Sequence, residues 1–140
     1  MYHHILIPLE NSAADATILE HIRPLARLTH ARITLLHVAD GFAARNQPAM
    51  GESDEMREDR AYLARRQNEL TSEGFAVSAI LEYGEPAERI LETADKERCD
   101  LIAMSTHGHR FLNDLILGSV AATVRHRTHI PVLMLRALEK

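Results

Sequence analysis

The sequence predicts an α/β fold, an open five-stranded parallel sheet with helices on both faces. Three observations carry that reading. Five short apolar runs recur along the chain, several of them almost continuously apolar, as strands covered on both faces are. Segments with helical spacing lie between them. The alternation persists from one end of the chain to the other, which is the pattern of parallel strands joined by crossover helices. A length of 140 residues fits one domain, 1–140, long enough to bury a core.

Taken in order, residues 4–8 form the first apolar run. Ile18, Ile22, Leu25 and Leu28 then mark one face of a helix. Ser12 can cap it, with Asp15 three residues on in the manner of a capping box. Pro24 lies inside this helix and removes a bond to the carbonyl of Glu20, so a kink is expected there. The second strand is 32–38. The stretch that follows, "ADGFAARNQPAMGES" (39–53), is long for a connection, and such loops are functional covers or disordered segments; both readings stay open. It leaves the carboxyl edge of the sheet, where ligands bind in such folds.

A second helix over 54–72 shows a narrow stripe of Met56, Leu63 and Leu70, with Gly74 as its stop. The third strand is 76–82. The third helix opens on "GEPAERILETA", with Pro86 in the first turn, where its missing N–H costs little. The fourth strand is 101–104. The fourth helix is expected over 119–127, and the fifth strand over 132–136.

Composition excludes some functions. A net charge of −4 with dispersed arginines lacks the concentrated positive field that nucleic-acid backbones require. Aromatic residues at 4% offer no stacking platform for single strands. Cys99 is the sole cysteine, so no intrachain disulfide can form, in keeping with a reducing compartment. No leader pattern opens the chain and no apolar run reaches bilayer length. A cytoplasmic protein that meets neither membrane nor nucleic acid is expected.

The segment "CDLIAMSTHGHRFLNDLILGSVAATVRH" carries the chemistry. An apolar strand breaks into a polar loop holding Gly108, and Gly118-Ser119 follow before an expected helix. In open parallel sheets ligands sit beyond the carboxyl ends of strands, at the point where strand order reverses. If strands two and three flank strand one on one side and strands four and five on the other, the crevice opens beside "PLENS" and "STHGHRFLNDLILGS". Backbone N–H groups near a glycine can approach a phosphate closely. A helix starting at Gly118-Ser119 would add unpartnered N–H groups and a favourable dipole, and Ser119 a hydroxyl. Each such charge contributes roughly 0.3–1 kcal/mol, whereas micromolar binding needs about −8 kcal/mol, so an apolar moiety must be buried too. An ordinary strand-to-helix connection has similar glycines, and spacing alone leaves both readings open. There is no GxxxxGK[ST] run, no GxGxxG after the first strand, and no acidic arrangement of a phosphate-receiver domain.

Ser105-Thr106-His107-Gly108, nine residues, then Gly118-Ser119 resemble the G-x2-G-x9-G-[ST] pattern of nucleotide-binding universal stress proteins. "HHILIPLENS", "ITLLHV", "GEPAERILETADKERCDLIAMSTHG" and "HIPVLMLR" extend the resemblance over nearly the whole chain. It implies strand order 3-2-1-4-5 and a bound adenine nucleotide: ATP, or ADP or AMP, with an accompanying Mg²⁺ left open. Carried over by position, Pro8, Leu9 and Glu10 flank the adenine and ribose, Val38 faces the adenine, and Met104 and Ser105 lie near the ribose. Gly108, His109, Gly118, Ser119 and Val120 surround the phosphates. Two positions depart from the pattern. Ser105 stands where the first motif glycine is usual, and Glu10 where an aspartate is usual; either change weakens an ATP fit or favours a shorter nucleotide such as AMP.

His107 and His109 have no ligand-spaced partners, so a phosphate-facing role is expected rather than a metal site. A nearby phosphate favours the imidazolium, which predicts tighter nucleotide binding near pH 6 than near pH 8. Arg110 can reach a terminal phosphate or remain solvated. His37, mid-strand, reads as a hydrogen-bonded core histidine, Cys99 as a small buried hydrophobe, and His3 and His4 fall at the sheet edge opposite the loop. The last strand, from Val132 to Arg136, opens with the apolar run "VLML" after Pro131, and a long apolar edge is a liability unless covered. Family resemblance agrees with that in implying a homodimer through this strand. The expected function is nucleotide binding in a stress-response sensor or regulator. The alternatives are a slow ATPase or phosphotransferase, for which Asp114 is the only carboxylate in the motif loop, and an interaction module without ATP.

Overall fold

The computed structural model of the chain describes residues 1–40, 54–107 and 112–137. Five parallel strands form one sheet: β1 (His4–Leu9), β2 (Arg32–Asp40), β3 (Val77–Gly84), β4 (Leu101–His107) and β5 (Val132–Ala137). Their order is β3-β2-β1-β4-β5, as the sequence predicts. Among the described residues four helices connect them: α1 (Ala14–Thr29), α2 (Asp54–Ser72), α3 (Pro86–Lys96) and α4 (Leu112–Arg127).

Alternation along the strands sorts the core into two layers. Ile5, Ile7 and Leu9 of β1, with Ile33 and Leu35 of β2, pack against Ile18, Leu19 and Ile22 of α1 and Tyr62, Leu63 and Leu70 of α2. On the other face Leu6, Leu36, Ile102 and Met104 meet Ala87, Ile90 and Ala94 of α3 and Val120, Ala121 and Val124 of α4. Both faces of the central strands are therefore covered, which is why their sequences read as unbroken apolar runs. The edge strand β5 divides in the same way. Leu133 and Leu135 join the first layer and Val132 and Met134 the second, yet all four remain only half-buried.

Several boundaries move. Register pairs Ala39 with Tyr83 and Asp40 with Gly84, so β2 outlasts the expected 32–38 and takes in two residues assigned to the long connection. The remainder of that connection, 41–53, lies outside the described residues. β4 likewise continues through Ser105, Thr106 and His107, held by β5 to the pair His107↔Ala137.

The larger correction concerns the fourth helix. It opens at Leu112, not Ser119, so Gly118 and Ser119 lie inside it and do not supply its unpartnered first amides. Leucine is a good helix former and no proline interrupts 112–118, whereas one glycine inside a helix costs only about 1 kcal/mol. The glycine was a weaker punctuation mark than its leucine-rich approach was a helix signal.

α1 continues through Pro24. Its entry is not a simple capping box. The residue before the helix is Ala13, without a side-chain cap. Ser12 Oγ accepts from the Ala14 amide at 3.2 Å, and Asp15 returns to the Ser12 amide at 3.3 Å. α2 ends as expected, just before Gly74 at φ +98.

At the opposite end of the sheet, the Asp100 carboxylate accepts from the His3 amide at 2.8 Å and the His4 amide at 2.9 Å, pinning the start of β1 to that of β4. Burial pushes this carboxyl up, but the His4 and His3 amides and the His3 ring outweigh it and hold it below the ordinary carboxylate range. Cys99 is buried, and burial, with Glu97 and Asp100 nearby, raises its thiol to about 12. That suits the inert, space-filling role expected of it.

Candidate ligand-binding crevice

The strand-order reversal falls between β1 and β4, and there the sheet comes apart. β1 stays paired with β2 as far as Leu9↔His37, and β4 with β5 as far as His107↔Ala137. β1 and β4 pair only at Ile5↔Leu101 and Leu6↔Ile102. Pro8 gives a local reason. The His3 carbonyl accepts from Arg32 on the β2 side, while the His4 carbonyl accepts from Asp100 on the β4 side. Backbone groups alternate sides along a strand, so residue 8 turns toward β4, and proline brings no N–H to that ladder.

A cavity of about 290 Å³ occupies this splay on the α3/α4 face. Its walls are mostly apolar: Pro8, Leu9, Leu36 and Val38 from β1 and β2, Pro86 and Ile90 from α3, Met104 from β4 and Val120 from α4. Glu10, His37 and Ser105 provide the polar groups. An apolar pocket with a few converging polar groups is the usual form of a small-molecule site, although the volume falls at the small end of roughly 300–1,000 Å³.

The polar groups are held from below. Asp15, fully buried on α1, accepts from the backbone amides of Glu10 at 3.0 Å, Asn11 at 2.9 Å and Ser12 at 3.3 Å. Tyr62 of α2 donates its hydroxyl to the same carboxylate at 2.6 Å and accepts from Arg66 Nε at 3.0 Å. Burial, then the bond to Asp15, raises the Tyr62 phenol to about 12. The turn thus gripped contains Asn11 at φ 63, a left-handed conformation that asparagine tolerates better than most residues. Ser12 Oγ donates to a Glu10 carboxylate oxygen at 3.1 Å, which orients the side chain at the cavity wall.

His37 is hydrogen-bonded, as its mid-strand position suggested. Its Nδ1 lies 2.8 Å from the Leu9 carbonyl; a carbonyl can only accept, so Nδ1 carries the hydrogen. Its Nε2 faces Asp59 Oδ2 at 3.3 Å. His37 also lines the cavity, a position that reading it as a core residue did not include.

Seven residues singled out from sequence surround this cavity: Pro8, Leu9, Glu10, Val38, Met104, Ser105 and Val120. Ser119 is exposed on α4 and is absent from the lining. His107 closes β4 and Gly118 lies within α4, while Gly108, His109 and Arg110 lie outside the described residues. Leu36, His37, Pro86 and Ile90 complete the lining without having been chosen. The helical spacing of Ile90 and Ala94 marks a buried face, but nothing in that spacing says which end of the face borders a cavity. Among the described residues no group of three or more histidine, cysteine or acidic side chains could hold a metal ion, and no helix is long and apolar enough to cross a membrane.

An open parallel sheet with an apolar cavity at its reversal point defines a doubly wound α/β protein with the architecture of a small-ligand binder. The Universal stress protein family matches residues 1–136, and the chain belongs to that family. Universal stress protein MJ0577 of Methanocaldococcus jannaschii is 29% identical over 155 residues, spanning 97% of this chain and 96% of that protein. The solved structure of MJ0577 superimposes with a TM-score of 0.85 at 30% identity, covering 100% of this chain and 99% of that one. Two more distant structures share the fold. A universal stress protein in complex with cAMP gives a TM-score of 0.72 at 19% identity, with 98% of each chain covered. The Archaeoglobus fulgidus protein in complex with dAMP gives 0.70 at 21%, with 95% of this chain and 97% of that one covered.

Proposed function

We propose that the chain binds an adenine nucleotide in the crevice between β1 and β4, and acts by holding that ligand rather than turning it over. The observation that carries this reading is the splay itself: two strands that pair at their beginnings and separate toward their carboxyl ends, with an apolar cavity in the gap. Leu36, Val38, Ile90, Met104 and Val120 suit an adenine ring, while Glu10 and Ser105 suit ribose hydroxyls. The phosphates extend toward His107 at the end of β4 and Gly108, His109 and Arg110, which follow it in sequence, and toward Gly118 and Ser119 of α4. Relatives solved with cAMP and dAMP support an adenine nucleotide. A cavity of this size suits a nucleoside with its phosphates outside, so ATP, ADP and AMP share the same anchoring half.

Titration calorimetry with ATP, ADP and AMP, with and without Mg²⁺, tests the reading directly. Val38→Trp should fill the cavity from a half-buried position and reduce affinity at least a hundredfold, with far-UV circular dichroism unchanged. Undiminished binding by that folded variant, or no binding of any of the three by the native chain, refutes it. The homodimer is proposed on the half-buried apolar residues of β5, which leave an apolar sheet edge for a second copy to cover.

A further inference from the structure

Asp59 of α2 contacts the turn that follows β1 and His37 of β2, and is absent from the lining of the cavity itself. Its Oδ1 accepts from Asn11 Nδ2 at 3.1 Å, and its Oδ2 faces His37 Nε2 at 3.3 Å. Through Asn11 it reaches the left-handed turn that follows β1. Through His37 it reaches the carboxyl end of β2 and, by the Nδ1 hydrogen bond, the Leu9 carbonyl. Both Asp59 and His37 are buried, so water competes poorly for these bonds. Residues Leu9 and Glu10 are thus held from two directions, by Asp15 from α1 and by Asp59 from α2.

We propose that Asp59 is a positioning residue for ligand binding: a strut from α2 that keeps the 9–12 turn in the shape that presents Glu10 and His37 to the cavity. The proposal rests on the nucleotide reading for its ligand, and on the Asn11, His37 and Leu9 contacts for its geometry. It couples a helix on one face of the sheet to a cavity on the other. Loss of the strut leaves Asn11 at a positive φ with Asp15 alone to hold it, and the turn then samples other conformations. A binding-competent fraction of about one tenth raises the apparent Kd roughly tenfold.

The substitutions Asp59→Ala and Asp59→Asn separate geometry from charge. The Asp59 carboxylate can only accept, so its contact with Nε2 uses an Nε2–H; an asparagine amide can keep the contact by donating to Nε2 when His37 carries its hydrogen on Nδ1 alone, while the amide oxygen accepts from Asn11. Asp59→Asn should therefore keep AMP affinity within about threefold of the native chain, and Asp59→Ala should lose roughly tenfold. Hydrogen exchange without nucleotide supplies the second readout. In Asp59→Ala the amides of Glu10, Asn11 and Ser12 should exchange faster, while those of Leu6 and Leu36 in the strands keep their native rates. A general loss of stability would speed all five. Unchanged exchange at 10–12 in Asp59→Ala overturns the proposal, as does faster exchange there with native affinity. If the native chain binds no adenine nucleotide, the nucleotide reading fails, and exchange at 10–12 decides the strut by itself.

Discussion

The Asp15 carboxylate offers the sharpest energetic test. It is fully buried and accepts four hydrogen bonds, from three consecutive backbone amides and the Tyr62 hydroxyl. Asp15→Ala removes all four bonds at once. The residues Glu10, Asn11 and Ser12 are only partly buried, so water can partly replace the carboxylate, and each amide loses about the net value of a hydrogen bond, roughly 0.5–1 kcal/mol. Tyr62 is different. Its oxygen still accepts from Arg66, but its own hydrogen is left without a partner in a buried position, at a cost of about 1–3 kcal/mol. The total is about 2.5–6 kcal/mol, a large share of the 5–15 kcal/mol by which typical domains are stable.

Urea unfolding followed by circular dichroism measures this, with an unchanged m-value showing that the loss is one of stability rather than a change in the unfolded state. Tyr62→Phe completes a double-mutant cycle. Removing the phenol hydroxyl from the Asp15→Ala background deletes the orphaned donor, so the double variant should be more stable than the sum of the single losses implies, by about 1 kcal/mol or more. A loss below about 1 kcal/mol for Asp15→Ala would mean that water satisfies the turn as well as the carboxylate does. Additive losses would mean that the Tyr62–Asp15 bond contributes nothing beyond its parts. Either result refutes the reasoning.

Three further outcomes are expected. Asp100→Asn should destabilise the fold near neutral pH by about 1 kcal/mol. Because the folded carboxyl titrates below its ordinary value, its contribution is complete above the unfolded pKa and disappears as pH falls through the lower folded value; thermal melts of native and variant chains should therefore converge below about pH 4, and a constant gap down to pH 2 would contradict this. Gly118→Ala places a better helix former inside α4 and should raise stability by about 0.5–1 kcal/mol, yet weaken ATP and ADP binding if that glycine gives phosphates close access; calorimetry showing gained stability with undiminished affinity removes Gly118 from the site. Leu133→Lys with Leu135→Lys should shift the mass measured by light scattering from two chains to one while circular dichroism reports the native sheet, and an unaltered mass would remove β5 from the dimer contact.

The fold was legible because its signals are local. Ile5 to Ile7 and Leu35-Leu36 are fully buried, and burial on both faces writes itself into sequence as an uninterrupted apolar run. Strand ends were less legible because pairing, not hydrophobicity, sets them: Asp40 and His107 belong to strands through register with Gly84 and Ala137. The start of α4 was misread because Gly118 was weighed as punctuation without its leucine-rich approach. The candidate site was legible where a residue directly follows an apolar run of the sequence, as Glu10 does after β1 and Ser105 does within β4. It was illegible where a contact joins distant positions. Tyr62 meets Asp15 across 47 residues and Asn11 meets Asp59 across 48, separations at which no periodicity or spacing rule has purchase.

Those distant contacts explain how the turn after β1 can be both strained and reliable. The chain leaving β1 must bend sharply toward α1, and Asn11 accepts a left-handed conformation to do so. Left alone, such a turn would sample several shapes, and any ligand would select only the competent fraction. Asp15 grips its backbone from α1, and Asp59 grips the Asn11 side chain from α2. Neither helix lines the cavity; α3 and α4 do that from the opposite face. The two layers therefore have separate work, one supplying apolar walls and the other fixing the polar edge. Substitutions in the α1/α2 layer should change affinity through the population of a competent turn, whereas substitutions in the α3/α4 layer should change it through contact, and only the former should appear in the exchange of amides 10–12.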